Sequence, residues 1–344
     1  MAEAAVIFGC AGPILTGEER DFFAECRPWG FILFARNIET PEQVSRLTAD
    51  LREAVGYDAP ILIDQEGGRV ARLRPPHWQD WQPVRELGDG FSAEIDALRA
   101  LRLRYHAIGA ELRELGIDVD CVPLLDVPQP NAHPIIGDRA LGWTAAEVAL
   151  RGREAAAGLL DAGVLPVIKH LPGHGRALHD SHEALPRVGA TLAELRATDF
   201  LPFLSMRDAV LGMTAHVVYE AIDPGACATL SADVLALVRG EIGFDGLLMT
   251  DDLSMKALSG SMTARASAAL EAGCDLILHC NGDMAEMVEI AGAVPRLSGD
   301  AALRSARALA ARAAANQAPV ADTRRLRAEY DTLTQELADV RRSA

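Results

Sequence analysis

Val164-Leu-Pro-Val-Ile-Lys-His-Leu-Pro-Gly-His-Gly-Arg-Ala-Leu-His-Asp-Ser-His-Glu-Ala-Leu-Pro186 opens as an unbroken apolar run and passes directly into a long polar loop. The run is continuously apolar rather than alternating, which is the pattern of a strand covered on both faces and therefore paired in parallel. Working outward, comparable runs occupy residues 5–8, 30–34, 61–64, 119–127, 210–216, 247–251 and 275–280, which makes eight with residues 164–170. The loop itself, at roughly 20 residues without periodicity, is of a length that compact domains keep for function. It carries His170, His174, His179 and His182 together with Asp180 and Lys169, and is a candidate active-site loop.

Between the apolar runs lie helical patterns at residues 41–55 after a Thr40 cap, 91–115, 144–162, 192–207, 232–242, 262–272 and 284–291. In the second, Ile95, Leu98, Leu101, Tyr105, Ile108, Leu112 and Leu115 step by three or four, as one buried stripe requires. Strand and helix alternate throughout, so the expected fold is α/β, a single (β/α)8 TIM-type barrel. An open doubly wound sheet is the runner-up, but it favours a glycine-rich phosphate turn after its first strand, and Gly9-Cys-Ala-Gly-Pro13 is a weak match. The chain reads as one catalytic domain over residues 1–344, with the barrel over about 5–295 and extra C-terminal helices over about 300–344. Within that extension, residues 322–342 read as a surface helix packed on the outside of the barrel.

The 344 residues are 49% hydrophobic and 24% charged, which is enough for a sizeable core. A net charge of -16 argues against a nucleic-acid footprint, which needs clustered basic surface. The apolar run at the N-terminus lacks the basic start of a signal peptide and is cut by Gly9, Gly12 and Pro13; no stretch reads as a membrane span. The six cysteines are scattered without Cys-x-x-Cys spacing, so the expectation is a cytoplasmic protein with reduced thiols, monomeric, with no nucleic-acid or membrane partner. Lys169 and Lys256 are the only lysines among many arginines, and a lysine directly after a buried strand suggests a site that wants a compact ammonium.

A barrel of this type gathers its active site at the carboxyl ends of the strands. Here those ends carry Asp64 to Arg72, Asp126, Lys169 and His170, His216, and Thr250 to Asp252. Successive strand residues face opposite ways, so only one of Asp251 and Asp252 can point over the barrel mouth while the other braces a loop. A carboxylate at a strand end opposite a mobile acid or base suits glycoside hydrolysis. A zinc site built from His170, His174, His179, His182 and Asp180 is the alternative chemistry, but Pro172 and Gly173 forbid the helix that would put His170 and His174 on one face. No metal and no cofactor are expected.

Ile63-Asp-Gln-Glu-Gly-Gly-Arg-Val-Ala-Arg72, Gly137-Asp-Arg-Ala140, Lys169-His-Leu-Pro-Gly-His-Gly175, Asp180-Ser-His182 and Thr250-Asp-Asp-Leu-Ser-Met255 resemble the signature blocks of family 3 glycoside hydrolases. The resemblance covers about residues 5 to 290 and is to the single-domain bacterial cytoplasmic β-N-acetylhexosaminidases of cell-wall recycling. It implies removal of terminal β-linked N-acetylglucosamine from muropeptides that carry 1,6-anhydro-N-acetylmuramic acid, by a retaining double displacement. It further implies Asp251 as nucleophile, His182 as acid/base with Asp180 as its partner, and sugar binding by Asp64, Arg72, Arg139, Lys169 and His170. Leu171, where Phe is frequent, and Arg176 depart from the usual wording of the loop and bear on its packing.

The residue types suit these roles. Cations such as Lys169 and Arg139 would keep Asp251 ionised for attack. A histidine can give a proton in one step and take one in the next, with Asp180 fixing its tautomer. Asp64 can accept from adjacent sugar hydroxyls while Arg72 donates to another. His174 reads as a brace for the loop, His179 as solvated, and His216 as a residue of the barrel mouth or just behind it. Rival readings are a β-glucosidase of the same family, a metal-dependent hydrolase built on the histidine loop, and a sugar-binding protein without catalysis. If His182 only positioned the sugar, Glu66 would be the first alternative acid.

Overall fold

The computed structural model describes residues 2–130, 132–179, 181, 184–319 and 321–343, with side chains up to residue 335. Nine strand segments, all parallel, make up one sheet: β1 Ala4–Gly9, β2 Pro28–Leu33, β3 Ile61–Ile63, β4 Val119–Asp120, β5 Leu165–Pro166, β6 Ile168–Leu171, β7 Leu211–Thr214, β8 Leu247–Asp252 and β9 Leu276–His279. Their order is β5-β4-β3-β2-β1-β9-β8-β7-β6. The two end segments, β5 and β6, are successive pieces of the one apolar run quoted above, separated at Val167 after Pro166, which has no N–H to donate to the ladder. The ring closes through the chain beyond β4, where Lys169 N donates to Pro123 O at 3.1 Å and Leu125 N donates to Lys169 O at 2.7 Å. The nine segments therefore form the eight staves of a (β/α)8 barrel.

Side chains alternate between two cores. Ile7, Leu62, Val167, Leu247 and Met249 fill the barrel, whereas Val6, Phe8, Ile61, Ile63 and Leu248 face outward into the layer of helices. Each such large apolar side chain contributes about 1.5–3 kcal/mol by leaving water. The helices Pro41–Val55 and Met262–Ala272 end as read from the sequence, and Ala145–Asp161 starts at a Thr144 cap closed by Glu147.

Several expectations change. Ile95 is 71% exposed, so the buried stripe of the Glu94–Glu114 helix begins later, at Ala97 and Leu101. The helix expected at residues 192–207 is two short ones, Leu192–Ala197 and Leu201–Ser205, because Pro202 cannot continue a helix and takes the first turn of the second, while Asp199 between them is buried against Arg176. The 232–242 helix is α-helical over Ala232–Leu237 and finishes as a π-turn, Val238–Ile242. A helix at Gly17–Cys26 went unread, although Thr16 and Glu19 form a reciprocal cap detectable in sequence.

Residues beyond the last strand do two things. The Thr323–Ser343 helix packs outside, with Tyr330 edge-on to Trp81 at 5.2 Å and Arg327 paired with Glu111. The Gly299–Ala315 helix instead closes the amino end of the barrel, an arrangement not foreseen. Its Ala308 joins the inner core, Ser305 accepts from Trp29 Nε1 at 2.8 Å, and Arg304 and Arg312 pair with Asp275 and Asp118 just before β9 and β4. No helix among the described residues is long and apolar enough to cross a membrane.

Candidate active site

With the amino end plugged, the carboxyl end stays open. Continuing the inward parity of the strands one step beyond the core gives Phe34 after Ile32, Asp64 after Leu62, Lys169 after Val167, Asp251 after Met249 and Cys280 after Leu278. All five line a cavity of about 210 Å³ at this end, together with Arg72, Arg139, His170, His174 and Asp252. Strand register places Asp64, Lys169 and Asp251 here, and loops add Arg72 and Arg139, so every described residue named for the site from sequence meets at this cavity. His182 and Asp180 lie outside the described residues.

Around the cavity runs an alternating chain of charges. Arg72 Nη2 donates to Asp64 Oδ2 at 3.0 Å, and Lys169 Nζ donates to Asp64 Oδ1 at 2.9 Å. The same ammonium lies 2.7 Å from Glu66 Oε1. Glu66 in turn takes two parallel bonds from Arg139, Nε to Oε2 at 2.9 Å and Nη2 to Oε1 at 2.8 Å. Burial alone would raise the pKa of both carboxyls. The cations win: Lys169 and Arg72 hold Asp64 well below the usual range, and Arg139 and Lys169 bring Glu66 down to about 2. Lys169, though buried, is held above the ordinary lysine value by Asp64 and Glu66.

Glu66 is ionised and doubly paired, so it cannot serve as the alternative proton donor. Lys169 and Arg139, the cations expected to act on Asp251, also pair with Asp64 and Glu66. Arg139 has five N–H groups; among the described residues two bind Glu66 and one binds Ile135 O at 3.2 Å, leaving two donors. Lys169 likewise keeps one of three.

Asp252, the neighbour of Asp251, is a brace. Its Oδ1 accepts from Ser254 N and Cys280 N, both at 3.1 Å, and its Oδ2 accepts from Ser254 Oγ at 2.5 Å. His216, fully buried, bridges Thr229 Oγ1 at 2.8 Å and Asp252 O at 3.0 Å, which places it behind β8. Asp251 Oδ1 accepts from Asp252 N at 2.8 Å, and its side chain is half-buried at the cavity.

The loop after β6 is tied down in its first half. Asp126 Oδ2 meets His170 Nδ1 at 2.8 Å, and its Oδ1 accepts from His174 N at 2.6 Å. Although burial pushes Asp126 up, these histidines hold it below the ordinary value. Gly175 lies against Val127, where a Cβ would come within 1.9 Å of the carbonyl oxygen, so only glycine fits. Arg176 donates to Asp199 Oδ2 at 2.7 Å, and Tyr219 donates to Gly173 O at 2.6 Å. Burial lowers His174 to about 4, which keeps it neutral, and its Nε2 lies 3.3 Å from Ser181 Oγ. His174 therefore braces the loop through its side chain as well as its backbone.

The sequence reading missed that Glu66 joins this charge array, because its partner Arg139 lies 73 residues away. Among the described residues no group of three histidine, cysteine, aspartate or glutamate side chains is placed to hold a metal ion. All six cysteines are free and buried.

Comparison with known proteins agrees with this geometry. The profile of the glycosyl hydrolase family 3 N-terminal domain matches residues 17–310. A β-hexosaminidase of Idiomarina loihiensis is 36% identical over 292 residues, spanning 83% of this chain and 86% of that one. The crystal structure of native NagZ from Neisseria gonorrhoeae superposes with a TM-score of 0.84 at 29% identity, covering 98% of both chains. A family 3 β-N-acetylglucosaminidase from Paenibacillus sp. FPU-7 gives a TM-score of 0.83 at 35% identity, with 97% of this chain matched to 66% of that longer one. The chain belongs to glycosyl hydrolase family 3, among its β-hexosaminidases.

Proposed function

We propose that the protein removes terminal β-linked N-acetylglucosamine from muropeptides bearing 1,6-anhydro-N-acetylmuramic acid, as a single-domain, monomeric, cytoplasmic enzyme of cell-wall recycling. The observation that carries the catalytic part is the position of Asp251, at the end of β8 and on the wall of a cavity whose opposite side is the Arg72, Asp64, Lys169 and Arg139 array. Asp64, Glu66 and Asp252 hold cations or backbone amides, which makes each a poor nucleophile.

In this reading Asp64 accepts from sugar hydroxyls, and the spare N–H groups of Arg139, Lys169 and Arg72 donate to others, with His170 completing the set. An Asp251 oxygen attacks the anomeric carbon while His182, oriented by Asp180, gives its proton to the departing glycosidic oxygen. Water then gives a proton to His182 as its oxygen attacks the same carbon, Asp251 leaves as carboxylate, and the product keeps the β configuration. A cavity closed below by the barrel core takes the end of a glycan rather than its middle. Six free cysteines suit a reducing compartment.

The test is turnover of 4-nitrophenyl N-acetyl-β-glucosaminide beside the corresponding glucoside, followed by a muropeptide with the anhydro sugar. Release of N-acetylglucosamine from the first and third substrates supports the reading; hydrolysis of the glucoside alone would make the protein a β-glucosidase.

A further inference from the structure

Glu66 stands behind the cavity wall. It is 3% exposed and is absent from the cavity lining, yet its carboxylate binds two cations that do line it, Arg139 by two bonds and Lys169 at 2.7 Å. The residue is fixed from its other side too. Its carbonyl oxygen accepts from Arg104 Nη2 at 3.1 Å and Tyr105 Oη at 3.2 Å, both on the Glu94–Glu114 helix of the outer layer. Arg104 continues to Gln82 O at 2.6 Å, which ties down the next loop as well. Gly67 follows with φ 93°, a backbone conformation that favours glycine, and a Cβ there would also crowd Arg104 Nη2.

A lysine and an arginine have long, rotatable side chains, and their spare N–H groups can meet hydroxyls at fixed places only if something holds them. Glu66 touches both. The alternating order of Arg72, Asp64, Lys169, Glu66 and Arg139 also keeps neighbouring cations from repelling each other at short range.

We propose that Glu66 is a positioning residue of the sugar site: held by Arg104 and Tyr105 of the outer helix, its carboxylate sets where Arg139 and Lys169 present their remaining donors to the glycone, without touching the substrate itself. This rests on the sugar-binding assignment of Arg139 and Lys169 made above.

The test uses Glu66→Gln and Glu66→Asp, assayed on whichever of 4-nitrophenyl N-acetyl-β-glucosaminide and 4-nitrophenyl β-glucoside the unaltered protein hydrolyses, so that an error about the sugar leaves the test intact. Thermal unfolding is followed in parallel. Because the cations bind ground state and transition state alike, Glu66→Gln is expected to raise KM by about 10- to 100-fold with a smaller loss in kcat. Glu66→Asp keeps the charge but is too short to reach both cations, and is expected to lie between Glu66→Gln and the parent. In Arg139→Ala and Lys169→Met backgrounds the KM cost of Glu66→Gln is expected to shrink, since its route is already cut. Parental KM in a folded Glu66→Gln or in Glu66→Asp would overturn the proposal. So would costs that multiply in full in both backgrounds, which would mean that Glu66 meets the sugar directly.

Discussion

His170 Nδ1 lies 2.8 Å from Asp126 Oδ2 at the base of the cavity, a pair formed between the segment after β4 and β6. The bond assigns the Nδ1 proton toward Asp126 and turns Nε2 toward the cavity, where it can meet a sugar hydroxyl. Asp126 also accepts the backbone N–H of His174, so one buried carboxylate sets both the ring and the start of the loop. Asp126→Ala should therefore lower kcat/KM by about 10- to 100-fold, the scale of losing a partner that orients an imidazole. Steady-state kinetics on a folded variant, checked by circular dichroism, tests this; unchanged kcat/KM would show that His170 needs no orientation.

Asp120 supplies a pH test. It is fully buried, its Oδ1 accepts from Gln65 N at 2.9 Å, and its Oδ2 has no partner. Burial, opposed by that bond and by Lys169, raises it to about 8. With the folded pKa above the unfolded one, the native state holds the extra proton, and stability is lost as pH rises between about 4 and 8. Asp120→Asn, which has no proton to lose, should gain on the parent steadily across that window. Thermal melts at pH 5, 6, 7 and 8 should show a widening difference in Tm in favour of the variant; a constant difference would mean that Asp120 is ionised throughout.

How far the site could be read in advance depended on whether its residues are set by strand parity or by distant partners. Asp64, Lys169 and Asp251 were legible because each follows a buried strand and alternation aims it inward. Glu66 was not, since its partners Arg139 and Arg104 come from 73 and 38 residues away and only the folded chain brings them together. The helix expected over residues 192–207 failed for a local reason that was legible: Pro202 cannot sit inside a continuous helix and instead lies in the first turn of a second one. The closure of the barrel's amino end by the Gly299–Ala315 helix was hidden in an Ala- and Arg-rich composition that reads equally as exposed surface.

Catalysis should need no metal. Asp64, Glu66, Asp126 and Asp252 are committed to side chains and amides of the protein, and the proposed protonation by His182 would make Lewis-acid help unnecessary. Activity should survive prolonged dialysis against a chelator. Loss on dialysis with recovery on adding zinc would revive the metal-hydrolase reading of the histidine loop.

The leaving group separates His182 as acid/base from His182 as a binding residue. His182→Ala should hardly slow glycosylation by an activated nitrophenyl glycoside, which needs little protonation, while strongly slowing it for a sugar leaving group. Deglycosylation should suffer with both, and azide, which needs no general base, should restore nitrophenyl turnover and yield a β-glycosyl azide. Equal damage to both substrates without an azide effect would place the acid elsewhere.

The central claim is that Asp251 forms the glycosyl-enzyme. Asp251→Asn should cost on the order of 10³-fold or more in turnover, but loss of activity alone does not name the bond. Mass spectrometric peptide mapping of enzyme inactivated with a 5-fluoro N-acetyl-β-glucosaminyl fluoride does. The account predicts one sugar per chain, attached to Asp251; a label on Asp252 or Asp64, or none at all while turnover proceeds with inversion, would contradict it.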